Sequence, residues 1–339
     1  MTDKPKIAIT MGDPSGIGPE VVLKALTSRP EIYDWCTPFL VGSLKATEHV
    51  TQHLPSDLTL TTIASHDEVV GSHMNLEILN ADGFEDESFP LGTHSVLSGA
   101  ASHQWVETAA KLARSGEIDA MVTAPINKES WQLAEMPDLG HQEVFKRLSG
   151  SDYVATMLVS GTLRCMHLST HKPLRDAVDY VTKDNILMAV RLTEKHFRDW
   201  GFDPPRIAVA ALNPHASDNG LIGSEEAEII SPAVEAAIAE GITAIGPVPA
   251  DSVFNQAIDG RYDVVVVMYH DQGHIPIKVH GFEESISVNL GIPWLRTSVD
   301  HGTAFDIADT TEANPTSLLH AIELACSLTT TSPLIKSNL

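Results

Sequence analysis

Three histidines in this chain share one setting. His171 follows an apolar segment at 163–168, His215 follows another at 207–212, and His270 follows the valine run Val264–Val267. Each segment reads as a strand, and the valine run has the composition of one buried on both faces. In open α/β sheets ligands gather just beyond the carboxyl ends of strands, so this repeated placement points to one site fed by three loops. Three imidazoles can hold Zn²⁺ or a similar divalent ion and leave a position for water or substrate, as a catalytic metal requires. Asp251 and Asp271 can act as hard-cation ligands or as partners of the imidazoles, and they can equally serve to hold loops. The spacing is long-range and unlike HExxH, so residue types alone leave both readings open.

The elements that must position these groups read as alternating strands and helices. Residues 7–11 form a strand that enters the glycine-rich turn Gly12-Asp13-Pro14-Ser15-Gly16-Ile17-Gly18 and a helix at 21–27. That turn is not GxGxxG, and a tight strand-to-helix connection accounts for it. Ser98 can cap a helix that ends at Gly116. A strand at 119–123 leads to Lys128, which is either a solvated lysine or a ligand group beyond a strand end. His141 precedes another helical stretch, where a helix N-terminus can receive an anion. Residues 153–159 and 163–168 read as a hairpin, an antiparallel addition to the sheet. A helix covers 185–200, and Ser231 with Pro232 opens another in an N-cap and first-turn arrangement.

Length and charge narrow the function. At 339 residues two lobes are expected, since single cores stop growing at roughly 250–300 residues. A formal net charge of -23 opposes binding to nucleic acid or anionic membranes, which need a basic footprint. Cys36, Cys165 and Cys326 are widely spaced and read as buried reduced thiols. No signal-peptide region and no apolar run of membrane-spanning length occurs, which leads to the expectation of a cytoplasmic protein.

The motifs TMGDPSGIGPE, GHQE, STHKPLRDA, LNPHA, PADSVF, YHDQGHIPIK and LRTSVDHGTAFDIA follow one another from residue 10 to about 309. In that order they resemble the 4-hydroxythreonine-4-phosphate dehydrogenase (PdxA) family, and TAPINKE, YHDQGHIPIK and HGTAFDIA are closest to its branch acting on D-threonate and D-erythronate 4-phosphates. The resemblance implies an α/β fold like that of isocitrate and isopropylmalate dehydrogenases, with two α/β/α lobes around a cleft, in a homodimer. The first lobe is expected at 1–125 with 275–339, and the second at 126–274. It also implies a divalent-metal site at His171, His215 and His270, with one histidine contributed by the partner subunit. Substrate contacts are implied at His141, Gln142, Lys278, Ser287 and Arg296. Gln142 and Ser287 stand where the family usually has Thr and Asn, so these two positions bear on the identity of the acid. HGTAFDIAD, followed by Glu312-Ala313-Asn314-Pro315, is similar to the loop with which isopropylmalate dehydrogenases hold the adenosine half of NAD, implying cofactor contacts at His301, Asp306 and Asn314.

The chemistry that follows is oxidation of a secondary hydroxyl by NAD with help from a divalent metal (Zn²⁺, or Mg²⁺, Mn²⁺ or Co²⁺), with decarboxylation of a 3-oxo acid product. Asp251, Asp271 and Lys278 are the candidates for the general base. Rival readings are a dihydrodiol-dicarboxylate dehydrogenase, a metal-dependent hydrolase, a phosphate acyltransferase and a non-catalytic binding protein. His141 and Arg296 oppose the first of these.

Overall fold

A computed structural model describes residues 4–81 and 83–329. The chain forms two compact units, one running up to Asp152 and resuming at Ile292, the other comprising Tyr153–Gly291. Both boundaries fall later than the sequence expectation. Residues 126–152 stay with the first unit because the helices Lys128–Leu133 and His141–Ser149 pack on the long helix Val96–Ser115. Residues 275–291 stay with the second because Ile286–Leu290 pairs with Ala155–Ser160, a long-range partnership that local sequence does not announce. The expected tail at 330–339 lies outside the described residues.

The first unit holds β1 (Lys6–Thr10), β2 (Thr37–Gly42), β3 (Thr59–Ile63), β4 (Asn75–Asn80), β5 (Ala120–Thr123) and, from the far end of the chain, β12 (Leu295–Val299). Their order is β3-β4-β2-β1-β5-β12, and every pairing is parallel. The central strands are apolar throughout because helices cover both faces of such a sheet. Ile7, Ala8 and Ile9 of β1 and Met121 and Val122 of β5 are fully buried.

The second unit holds β6 (Ala155–Ser160), β7 (Leu163–His167), β8 (Ile207–Ala210), β9 (Ala244–Val248), β10 (Val264–Val267) and β11 (Ile286–Leu290), in the order β11-β6-β7-β10-β8-β9. The expected hairpin is present: β6 runs antiparallel to β7, and it also runs antiparallel to β11. From β7 through β10 and β8 to β9 the sheet is parallel. All four valines of β10 are fully buried, each contributing on the order of 1.5–3 kcal/mol.

Two helix starts differ from expectation. The helix before Gly116 is capped by Ser95, whose hydroxyl accepts from the Ser98 backbone N–H at 3.3 Å, while Ser98 lies inside the first turn. Ser231 is no cap either, because a π-turn over Glu226–Ile230 already carries the helical path into Ser231–Ala239. The three cysteines are free and buried.

Candidate active site

The three loops expected to carry metal ligands leave neighbouring strands at the same edge of the second unit's sheet. β10 lies between β7 and β8 and runs parallel to both, so the residues after His167, Ala210 and Val267 emerge side by side. The His171 and His270 rings are 6.0 Å apart between centroids. His270 opens the helix His270–His280, and its Nδ1 is 2.7 Å from Asp271 Oδ1. His215 Nδ1 is 3.2 Å from Asp218 Oδ2, and its Nε2 faces Asp251 Oδ2 at 4.0 Å. Each carboxylate needs a donor, so Nδ1 carries the proton and Nε2 presents its lone pair. Metal-binding imidazoles are held in this way. At His215 the lone pair and the Asp251 oxygen then face each other as two acceptors, an arrangement that a cation between them would relieve. This donor set fits a divalent ion.

Behind His270 lies a histidine stack. His274 sits 3.5 Å from the His270 ring at an interplanar angle of 12°. Its Nδ1 is 3.0 Å from the His270 carbonyl and 3.1 Å from His167 Nε2, while His167 Nδ1 is 3.2 Å from the Thr156 carbonyl. The two carbonyls accept only, so both Nδ1 atoms donate. Burial, with His274 adding to it, drives the His167 ring down to about 3, so the ring stays neutral. A Cβ on Gly273 would lie 2.3 Å from His167 Nε2, so only glycine admits this packing. Lys278 lies further along the same helix, its ammonium 5.2 Å from the Phe282 ring centroid. Ser287 is in β11, half-buried and opposite Leu158 of β6.

In the first unit His141 and Arg296 do come together. His141 and Gln142 form the opening residues of the helix His141–Ser149, which Gly140 precedes without any side-chain cap. The His141 ring stacks on Phe145 at 5.9 Å and meets Trp131 edge-on at 6.0 Å. Its Nε2 is buried with no hydrogen-bond partner. Burial and the nearby Arg296 and Lys128 charges hold the imidazole well below its ordinary range, so it is neutral. Arg296, on β12, donates from Nε and Nη2 to Thr123 Oγ1 at 3.0 and 2.5 Å and lies over the Phe145 ring. Burial lowers its guanidinium to about 9, which leaves it charged at neutral pH. Two cations, a neutral imidazole with an unused nitrogen and an uncapped helix start would together make a receptor for an anion.

A second network steadies that receptor. Trp131 Nε1 donates to Ser102 Oγ at 2.8 Å, and His103 packs edge-on against it. Asp138 accepts from Arg147 and is bonded to His103, and these partners hold its carboxyl down against the upward push of burial. Among the described residues, His103, Glu107 and Asp138 form the grouping whose ligand atoms all lie within 4.8 Å. Arg147 bonds to both carboxylates and Lys111 to Glu107, so cationic side chains already neutralise them. The His171, His215 and His270 set is not drawn as tightly together. Sequence reasoning missed Thr123, Asp138 and Arg147, although Thr123 directly precedes the Ala-Pro-Ile-Asn-Lys-Glu segment.

The loop expected to hold the cofactor is braced by the glycine-rich turn. Ile17 N–H donates to the Thr303 carbonyl at 3.0 Å, and a Cβ on Gly16 would lie 2.4 Å from the same oxygen. Buried Glu20 accepts from Ala313 N–H, and Lys24 donates to the carbonyls of Thr311 and Ala313 at 2.6 and 3.1 Å. The brace offsets the strain of Ala304, Asp309 and Thr311, which all have positive φ. His301 and Asp306 are exposed. Asn314 Oδ1 accepts from Thr316 N–H and Oγ1, which leaves its amide nitrogen for a ligand. An exposed carboxylate, an imidazole and an amide suit a ribose and a base, so the residues fit the adenosine half of a nicotinamide dinucleotide.

Comparison with known proteins gives a consistent picture. The sequence profile of the family described as pyridoxal phosphate biosynthetic protein PdxA matches residues 34–325. A protein of Halalkalibacterium halodurans, provisionally named a D-threonate 4-phosphate dehydrogenase, is 42% identical over 96% of this chain and 97% of its own. The crystal structure of a 4-hydroxythreonine-4-phosphate dehydrogenase from Klebsiella pneumoniae superposes with a TM-score of 0.89 at 36% identity, covering 96% of this chain and 100% of that one. A terephthalate 1,2-cis-dihydrodiol dehydrogenase from Burkholderia xenovorans is less similar, at 28% identity and a TM-score of 0.67 over 96% and 98% of the two chains.

Proposed function

The chain belongs to the PdxA family, and on that premise we propose that it is a divalent-metal-dependent, NAD-linked dehydrogenase of a small 4-phosphorylated 3-hydroxy acid, of the D-threonate or D-erythronate 4-phosphate type. The observation that carries this reading is the placement of three histidine loops beyond three adjacent parallel strands, with His215 and His270 each held at Nδ1 by a carboxylate. His171, His215 and His270 would hold the metal, and His301, Asp306 and Asn314 the cofactor. When bound, the metal supplies Lewis acidity at the substrate's secondary hydroxyl and the nicotinamide accepts the hydride.

The chain's own residues bind and orient. Arg296, Lys128 and the first turn of the His141 helix neutralise an anionic group of the substrate, and His141 Nε2 meets a substrate oxygen or hydroxyl. A buried ring nitrogen left unpaired costs about 1–3 kcal/mol, which such a contact offsets. Gln142 and Ser287 add neutral polar contacts that select among acids. Asp251, Asp271 and Lys278 are the groups able to take the hydroxyl proton. The 3-oxo acid that results loses CO₂. The open spacing of the histidines supports a homodimer in which one ligand comes from the partner subunit. No helix of the described residues is long and apolar enough to cross a membrane, and we place the enzyme in the cytoplasm.

The test is absorbance of the reduced nicotinamide on incubation with NAD, a divalent metal and D-threonate, D-erythronate or 4-hydroxythreonine 4-phosphate. Turnover of a threonate or erythronate phosphate with CO₂ release is expected. Reduction with none of the three acids, or full activity in metal-free protein, overturns the proposal.

A further inference from the structure

We infer that Glu226 is the positioning residue that holds His215 ready for a divalent ion. The inference rests on the reading of His215 as a metal ligand. His215, Ala216, Ser217, Asp218 and Asn219 have φ values of 51°, 53°, 69°, 45° and 59°. Five successive non-glycine residues in the left-handed region form a segment that the chain adopts only when its surroundings enforce it. Nothing in the local sequence enforces it: His215, Asp218 and Asn219 are of types that tolerate that region, but Ala216 and Ser217 between them are not.

The enforcing group is a buried carboxylate. Glu226, 3% exposed, opens the π-turn ahead of Ser231–Ala239. Its Oε1 accepts from the backbone N–H groups of Leu212 and Asn213 at 2.8 and 2.7 Å. Its Oε2 accepts from Asn213 Nδ2 at 2.9 Å and from the Ser217 hydroxyl. One carboxylate therefore ties the end of the β8 segment, the residue two before His215 and the residue two after it to a single point. All four of these groups donate, and an ionised carboxylate offers about four acceptor sites. Glutamine has nearly the same shape, yet its amide nitrogen would face Asn213 Nδ2, donor against donor. With the loop fixed at both flanks, the His215 ring stays between Asp218 and Asp251.

The test measures metal binding on the full-length, metal-stripped protein, by calorimetric titration with Zn²⁺ and by the visible spectrum with Co²⁺. Glu226→Gln should keep a cooperative melt and wild-type far-UV circular dichroism while weakening metal binding about 10- to 100-fold, the range typical of lost partners around metal ligands. Excess metal should restore kcat in Glu226→Gln, where the imidazole is still present, and should not restore it in His215→Ala. If His215→Ala loses the metal and folded Glu226→Gln binds it as wild type does, the inference is overturned while the metal site stands. If His215→Ala binds metal unchanged, the site reading falls and takes the inference with it. Should Glu226→Gln not fold, Ser217→Ala removes one of the four bonds and must weaken the metal several-fold; wild-type affinity in that variant overturns the inference.

Discussion

Replacing Asp13 by asparagine should remove a pH dependence of stability that this one carboxyl imposes. Asp13 is fully buried in the glycine-rich turn, and burial pushes its carboxyl from 3.8 up to about 6. The Ser15 N–H at 2.8 Å, the Ser130 hydroxyl and His94 hold back part of the rise. Between about pH 4 and 6 the folded protein keeps this proton and the unfolded chain has released it, so stability falls as pH rises through that window. The separation corresponds to about 3 kcal/mol at 1.36 kcal/mol per pH unit. Asparagine keeps an acceptor for Ser15 and carries no charge. Urea unfolding of both proteins from pH 4 to 7 reads the effect as the difference between their stabilities. That difference should move toward the variant by about 3 kcal/mol as pH rises, while carboxylates common to both proteins cancel. Parallel stability curves would refute the assignment of a protonated Asp13.

Further tests address the proposed chemistry. His171→Ala, His215→Ala or His270→Ala should each remove most bound divalent ion, seen by elemental analysis, and lower kcat by orders of magnitude with the fold retained. Arg296→Ala should raise KM for the phosphorylated acid by about 10- to 100-fold, the scale of a lost charged hydrogen bond, and leave KM for NAD unchanged; persistence of the effect in high salt distinguishes a buried contact from surface attraction. NAD is expected to be preferred over NADP because, in the proposed cofactor site, the Asp306 carboxylate would repel a 2′-phosphate, and Asp306→Asn should shift the kcat/KM ratio by roughly 1–3 kcal/mol toward NADP.

What could be read from sequence was what is decided locally. Val264–Val267 announces a doubly buried strand because four β-branched apolar residues have no other economical fate, and the histidines follow their strands by a few residues. The His141 helix start was legible for the same reason. What stayed hidden depends on distant partners. Arg296 rests on Thr123 through a parallel pairing between segments far apart in the chain. The left-handed course of residues 215–219 is imposed by Glu226, and the Ser231-Pro232 pair looks like a helix start although a π-turn already precedes it.

The discontinuity of the first unit sets an order of events during synthesis. Tyr153–Gly291 is a continuous insertion, and the pairings of β6 to β10 all lie within it, so most of its sheet can form before the rest of the chain is available. The first unit cannot finish: β5 waits with an open edge until β12 emerges, and the Lys24 and Glu20 contacts wait for Thr311 and Ala313. Closing so long a loop is slow, and the exposed apolar edge of β5 is meanwhile open to wrong partners. A released chain ending at Gly291 should therefore resist proteolysis within 153–291 and be cleaved readily within the first 152 residues.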